Sequence, residues 1–175
     1  MMLITITDTP PSLSDKTVLV QVAYLFHIAL NYQHQKTNHM PLMEKDLIIK
    51  RSTIPGSGKG LFTKVLISKG TRIIEYKGKI STWKEVNHEN GTNSYIYFVT
   101  KNHVIDGLTY KKAMARYVND ARGFNKVKGI NNNCQYVEDG LRIYIESIKT
   151  IPAGSELLVG YGKEYWDVMK LNAKT

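Results

Sequence analysis

Arg116-Tyr117-Val118-Asn119-Asp120, followed by Asn131-Asn132-Asn133-Cys134 and then by Glu156-Leu157-Leu158-Val159-Gly160-Tyr161-Gly162, is the part of the sequence that decides the fold. An Asn-Asp pair directly behind an apolar-flanked Tyr-Val is odd for a plain core strand. Asparagine carries a donor and an acceptor on one short side chain, which suits it to hold a ligand edge or a second loop. A Tyr-Gly pair closing an apolar run sets a phenol at the edge of an element, with a conformationally free residue beside it.

The totals bound what surrounds these stretches. The 175 residues suffice for one domain with a real core and are short for two, and the 42% apolar fraction is ordinary for a globular chain. The formal charge of +9 is not ordinary. Residues 1–42 balance Asp8 and Asp15 against Lys16 and Lys36, so the whole surplus sits in 43–175. It fits an acidic partner such as nucleic acid or an anionic protein surface, and equally a soluble basic surface, because no cluster exceeds a pair such as Lys111-Lys112. The single cysteine, Cys134, excludes internal disulfides and a cysteine-rich zinc site, and it fits a reducing compartment, cytoplasmic or nuclear. His27, His34 and His39 are irregularly spaced and lack companions, so no metal is expected.

The run Val18–Leu30 is too short for a bilayer, which takes about 20 apolar residues, and it lacks the basic lead of a signal peptide. It reads as a buried strand or a short helix. Met43-Glu44-Lys45 would make a natural start, which leaves 1–42 as an N-terminal extension and 43–175 as the patterned domain.

From Asp46 the pattern sharpens. Leu47-Ile48-Ile49 predicts a short strand, and Ser52–Gly60 is dense in turn residues. Strands are expected over Thr71–Lys77, Tyr95–Val99, His103–Ile105, Cys134–Val137, Leu141–Ile145 and Glu156–Val159, where β-branched and aromatic residues gather. Glu138-Asp139-Gly140 predicts a three-residue hairpin loop. Thr82 and Glu85 have capping-box spacing, which predicts a short helix from Trp83. Lys163–Leu171 has helical length. Many short strands with little helix and Gly/Pro-rich corners make a small barrel or a set of folded sheets.

Several residues carry candidate chemistry. Gly58-Lys59-Gly60 has neither the spacing of a dinucleotide loop nor the Ser or Thr of a P-loop, and by itself it reads as a tight turn. Tyr95 and Tyr97 lie two apart and would share one face of a strand, either as core tyrosines or as one wall of an aromatic channel. Such a channel holds an ammonium by cation–π attraction, and its dryness lowers a lysine pKa toward the neutral amine.

The order of the pieces is more specific than any one of them. A glycine turn, a Ser-Tyr-x-Tyr strand, an Ile-Asp, an Arg-Tyr-Val-Asn, an Asn-Cys and a Glu-Leu-x-x-x-Tyr-Gly follow one another over Leu47–Trp166. In this order they resemble the SET domain of protein lysine methyltransferases. The resemblance implies a mostly β fold with short helices, the β-clip of small curved sheets around a pseudoknot. It implies transfer of a methyl group from S-adenosyl-L-methionine to a protein lysine. Gly58, Lys59 and Gly60 then border the cofactor, and Arg116, Asn119 and Asp120 stand where the family's Arg-Phe-Ile-Asn-His segment holds it. Tyr161 matches the tyrosine at the methyl-transfer centre, and Tyr95 the tyrosine of the Ser-Tyr strand. Tyr97, Tyr136 and Val159 fall at channel positions, with Val159 where some members carry an aromatic that influences how many methyl groups are added.

Three departures accompany the resemblance. The family's His is Asp120, followed by a longer loop, so a contact through an imidazole is lost. Neither a cysteine-rich tail nor a cysteine cluster ahead of the domain is present. Lys163–Leu171, with Tyr165 and Trp166, is the candidate C-terminal lid, and Trp166 the candidate cofactor contact it brings. Two other readings remain at this stage: a SET-fold module that binds S-adenosylmethionine or a partner without catalysis, and a basic nucleic-acid-associated β-domain. The acceptor protein, a histone or another, is not written in the sequence. A basic domain repels a basic peptide unless acids such as Glu85, Glu89, Glu138 and Asp139 line its groove.

Overall fold

The computed structural model describes residues 42–87 and 93–173, all within the unit Leu42–Thr175. The run Val18–Leu30, the three histidines of the leader and Glu89 lie outside the described residues.

Eight short strands carry the fold: β1 (Leu47–Arg51), β2 (Lys59–Thr63), β3 (Arg72–Glu75), β4 (Lys79–Ser81), β5 (Ile96–Thr100), β6 (His103–Asp106), β7 (Cys134–Asp139) and β8 (Arg142–Ser147). They form three antiparallel sheets, β1-β2, β3-β8-β7 and β4-β6-β5, and none closes into a barrel. Helix α1 (Lys163–Asn172) follows the last polar motif. The sheets share one aliphatic core in which Leu61, Ile73, Ile143, Ile145, Leu157 and Val159 are fully enclosed. Removing that apolar surface from water is the main force holding such short ladders together.

Three expectations are corrected. The β7–β8 loop has two residues, not three: Asp139 pairs with Arg142, and Gly140 takes φ 60° in the turn. The tighter loop matches the twist of the flanking strands. Glu85 does fold back onto the Thr82 amide (3.3 Å) and Val86 N–H reaches Thr82 O (3.0 Å), yet 83–85 stays a single turn. The Trp83 amide is committed to Lys101 O (2.9 Å) and its ring meets Phe98 edge-on at 5.3 Å, which ties the turn to the β5–β6 hairpin.

Glu156–Val159 is not a ladder strand. It makes isolated bridges, Phe62 with Glu156 and Asn119 with Leu158. The cause is that its successive amides go to different partners: Leu157 N–H to Leu61 O (2.8 Å), Leu158 N–H to the Asn133 side chain (2.8 Å) and Val159 N–H to Asn119 O (2.9 Å). The segment is extended and buried, and it is shared among three neighbours.

Candidate active site

The two asparagine segments clasp that extended piece. Asn133 donates from its side chain to Glu156 O (2.8 Å) and accepts from Leu158 N–H, while the Asn133 and Cys134 amides both donate to Leu158 O (3.0 and 2.9 Å). A buried backbone needs every polar group partnered, and one side chain with a donor and an acceptor supplies two of those partners. Asn119 runs parallel to Leu158 on the other motif. Chain segments far apart in sequence thus converge on a few residues.

Glu156 fixes Asn119 in turn. Its carboxylate, 5% exposed, accepts from Ser52 Oγ (2.7 Å), from Thr53 N–H (2.7 Å) and Oγ1, and from Asn119 Nδ2 (3.0 Å). The same Asn119 amide also donates to Lys59 O (3.0 Å). A β-carbon at Gly60 would overlap this carboxylate, so glycine is required there for close approach rather than for turning. The glycine turn itself lies upstream, with Gly56 at φ 80° and Gly58 at φ 66°, and Lys59-Gly60 already belong to β2.

Asp120 is the third anchor. It is 4% exposed, and its two oxygens accept four donors. Oδ1 takes Arg122 N–H (2.8 Å) and Asn132 Nδ2 (2.9 Å). Oδ2 takes Tyr161 N–H (2.8 Å) and Trp166 Nε1 (2.8 Å). The Trp166 indole stacks nearly parallel to Tyr161, with centroids 5.9 Å apart and 17° between planes, and it lies over Gly123, where a β-carbon would come within 2.7 Å of the ring. Tyr165 meets Tyr161 edge-on at 4.8 Å. These two residues bring α1 to the site.

The anchors surround one cleft of about 1190 Å³, lined among others by Gly58, Lys59, Tyr95, Asn119, Tyr161 and Trp166. At its wall Tyr76, Tyr97 and Tyr136 form a triangle with centroid separations of 6.2, 6.1 and 5.1 Å, mostly edge-on. Tilted and edge-on pairs match the positive ring edge to a negative face. Tyr76 donates to Tyr95 O (2.9 Å) and Tyr97 to Glu138 Oε1 (3.3 Å). Burial pushes the Tyr97 phenol up to about 12, with the Glu138 charge adding to the effect. Burial likewise raises Tyr76, Tyr136 and Tyr161 far above the ordinary phenol range, so these are neutral hydroxyls. Tyr161 donates its hydroxyl to Val118 O (2.8 Å), which points the phenol and leaves its oxygen able to accept from the cleft. The Arg116 guanidinium lies 4.0 Å from the Tyr95 ring centroid, and its buried Nε has no hydrogen-bond partner among the described residues.

Of the residues singled out in the sequence, Gly58, Lys59, Tyr95, Tyr97, Arg116, Asn119, Tyr136, Tyr161 and Trp166 share the cleft. Three sequence-chosen residues stand elsewhere. Gly60 backs onto Glu156. Asp120 faces a side pocket of about 130 Å³, and protein donors occupy both its oxygens. Val159 is fully enclosed in the main core and stands off the cleft wall. Sequence reading missed Tyr76 and the anchoring role of Glu156. Tyr76 directly follows β3, in which Ile73 and Ile74 are both buried, and an aromatic with a hydroxyl closing such an apolar run was the available signal.

A model of the SET domain matches residues 58–162. The histone-lysine N-methyltransferase EZH2 of Chaetomium thermophilum is 29% identical over an alignment of 138 residues that covers 72% of this chain and 9% of that protein. The methyltransferase domain of human PR domain-containing protein 2 is alike in fold, with a TM-score of 0.50 at 22% identity over 72% of this chain and 81% of that domain.

Proposed function

Because the chain belongs to the SET domain family, we propose that it transfers a methyl group from S-adenosylmethionine to the side-chain amine of a protein lysine. One observation carries the reading: Asn119, Tyr161 and the Gly58-Lys59 turn line the same cleft as a triangle of tyrosines, Tyr76 buried and Tyr97 and Tyr136 half-buried. The domain spans 43–175 in this proposal, with 1–42 an extension.

The residues fit the cosubstrate. The orphaned Arg116 Nε is a donor awaiting an anion such as an amino-acid carboxylate. Gly58 leaves open space where a β-carbon would stand, so a ligand can approach its backbone. Trp166 offers an apolar face beside Asn119 for a flat base. S-adenosylmethionine, when bound, supplies an already activated methyl group on a sulfonium and leaves as the thioether.

The protein's part is to present the amine. Tyr76, Tyr97 and Tyr136 strip water from the lysine and hold its head by cation–π attraction. Desolvation disfavours the ammonium, so the amine gives its proton to solvent and keeps a lone pair for the new C–N bond. The Tyr161 oxygen, aimed by its bond to Val118 O, orients that amine. Alignment of this kind is worth about 7–11 kcal/mol where it is complete. A histone, as in the name of the EZH2 relative, or another basic protein is the acceptor class proposed.

The test is incubation of the purified chain with methyl-labelled S-adenosylmethionine, histones and a lysine-rich protein mixture, followed by mass spectrometry of the products. Labelled lysines should appear with the wild-type chain and fall by about a hundredfold or more with Tyr161→Phe, the cost of one lost transition-state contact. Cofactor binding without transfer to any protein would replace this reading with that of a non-catalytic SET module.

A further inference from the structure

We propose that Asp120 is a positioning residue that locks Tyr161 and helix α1 into one geometry, through Trp166. Helix α1 lines the cleft through Glu164, Tyr165 and Trp166 yet fully buries none of its residues. A helix of ten residues draws its stability from packing, and the residues it half-buries include Tyr165 and Trp166, the two that face the site. Its ties to the site include the Tyr165 and Trp166 rings, a side-chain hydrogen bond between Tyr165 and Ser94, and the bond from Trp166 Nε1 to Asp120 Oδ2.

The same Oδ2 accepts the backbone amide of Tyr161. One carboxylate oxygen therefore holds both the indole of the lid and the backbone of the tyrosine. The partner oxygen is tied to Arg122 N–H and Asn132 Nδ2, and Asn132 Oδ1 in turn accepts Ala121 N–H (2.8 Å). Asp120 has no rotamer that keeps one pair of bonds and releases the other. A neutral imidazole has a single acceptor nitrogen and could not satisfy four donors. The carboxylate at this position is thus specified by the structure it organises.

The Asn variant separates these roles. In Asp120→Asn one oxygen becomes an NH2 group and must face either Tyr161 N–H and Trp166 Nε1 or Arg122 N–H and Asn132. A backbone donor is left facing a donor in both orientations. Trp166→Phe keeps an aromatic ring on the helix and removes the indole N–H together with the outer ring that lies against Gly123.

Hydrogen exchange followed by mass spectrometry on the full chain tests this without reference to activity. Each single variant should speed exchange over 163–172 by about tenfold, the effect of losing one hydrogen bond, and the double variant should add nothing further. Amides of β7 and β8 should keep their wild-type protection. In the transfer assay Asp120→Asn should lower kcat by about a hundredfold, the cost of an ångström of misplacement, with the acceptor KM unchanged. Wild-type exchange over 163–172 in Asp120→Asn, additive effects in the double variant, or equal loss of protection in β7–β8 each overturn the proposal. The kinetic arm rests on the methyltransferase reading. Altered exchange in a chain that methylates nothing upholds the Asp120 lock and refutes that reading instead.

Discussion

Replacing Glu156 by Gln is the sharpest probe of how the site is held. The change keeps shape and removes one acceptor oxygen. Oε2 accepts the Thr53 backbone N–H, which cannot turn away, so the new NH2 group belongs at Oε1. There it meets Ser52 Oγ and Asn119 Nδ2. The Ser52 hydroxyl can rotate and accept. Asn119 can satisfy the new group only by flipping its amide, which sacrifices its bond to Lys59 O. Two charge-assisted bonds are weakened or lost, each worth about 1.5–3 kcal/mol, offset in part because a buried charge disappears. A net loss of about 2–4 kcal/mol follows, or roughly 5–15 °C in Tm for a domain of this size. Thermal melting by circular dichroism reads the first effect. Titration calorimetry with S-adenosylmethionine reads the second, a weakening of about tenfold as Asn119 turns, the equivalent of one bond. A variant melting within a degree of wild type and binding equally well would falsify the claim that Glu156 sets Asn119.

Further outcomes follow from the same geometry. Gly60→Ala should destabilise the domain by about 1–3 kcal/mol in urea melts, because the new methyl overlaps the Glu156 carboxylate and something must shift; a neutral result would mean the carboxylate is mobile. Tyr76→Phe deletes the bond to Tyr95 O and should cost about 1 kcal/mol with an unchanged m-value. Burial pushes the Cys134 thiol up to about 12, from 9.0 for an ordinary thiol. Between those pH values the unfolded chain has lost a proton that the folded chain keeps, so stability falls as pH rises through the window. Urea melts at a series of pH values should show that slope, reduced in Cys134→Ala; an equal slope in the variant would shift the effect to other groups such as Tyr97, whose window runs from 10.0 to about 12.

How much of this was legible in the chain varies with the range of the forces involved. β5, β6, β7, β8 and α1 were readable because their patterns are local: alternating β-branched and aromatic residues, Gly140 at a turn, and a helical run after Gly162. Asn119, Tyr161 and the glycine turn were readable as a set because their order matches a known family. Glu156–Val159 was misjudged because hydrophobicity announces burial but not partners, and its partners lie in three different segments.

The side-chain roles divide in the same way. Sequence by itself determined that position 120 is an aspartate, where the family resemblance leads one to look for a histidine, that Val159 is apolar and that Gly60 lacks a side chain. Only the tertiary structure decided that the carboxylate gathers four donors, that the valine turns into the core, and that the glycine makes room for Glu156. Hydrogen bonds are directional and act over about 3 Å, so their partners are fixed by where distant segments meet. Apolar periodicity acts along the chain itself, and it is written there.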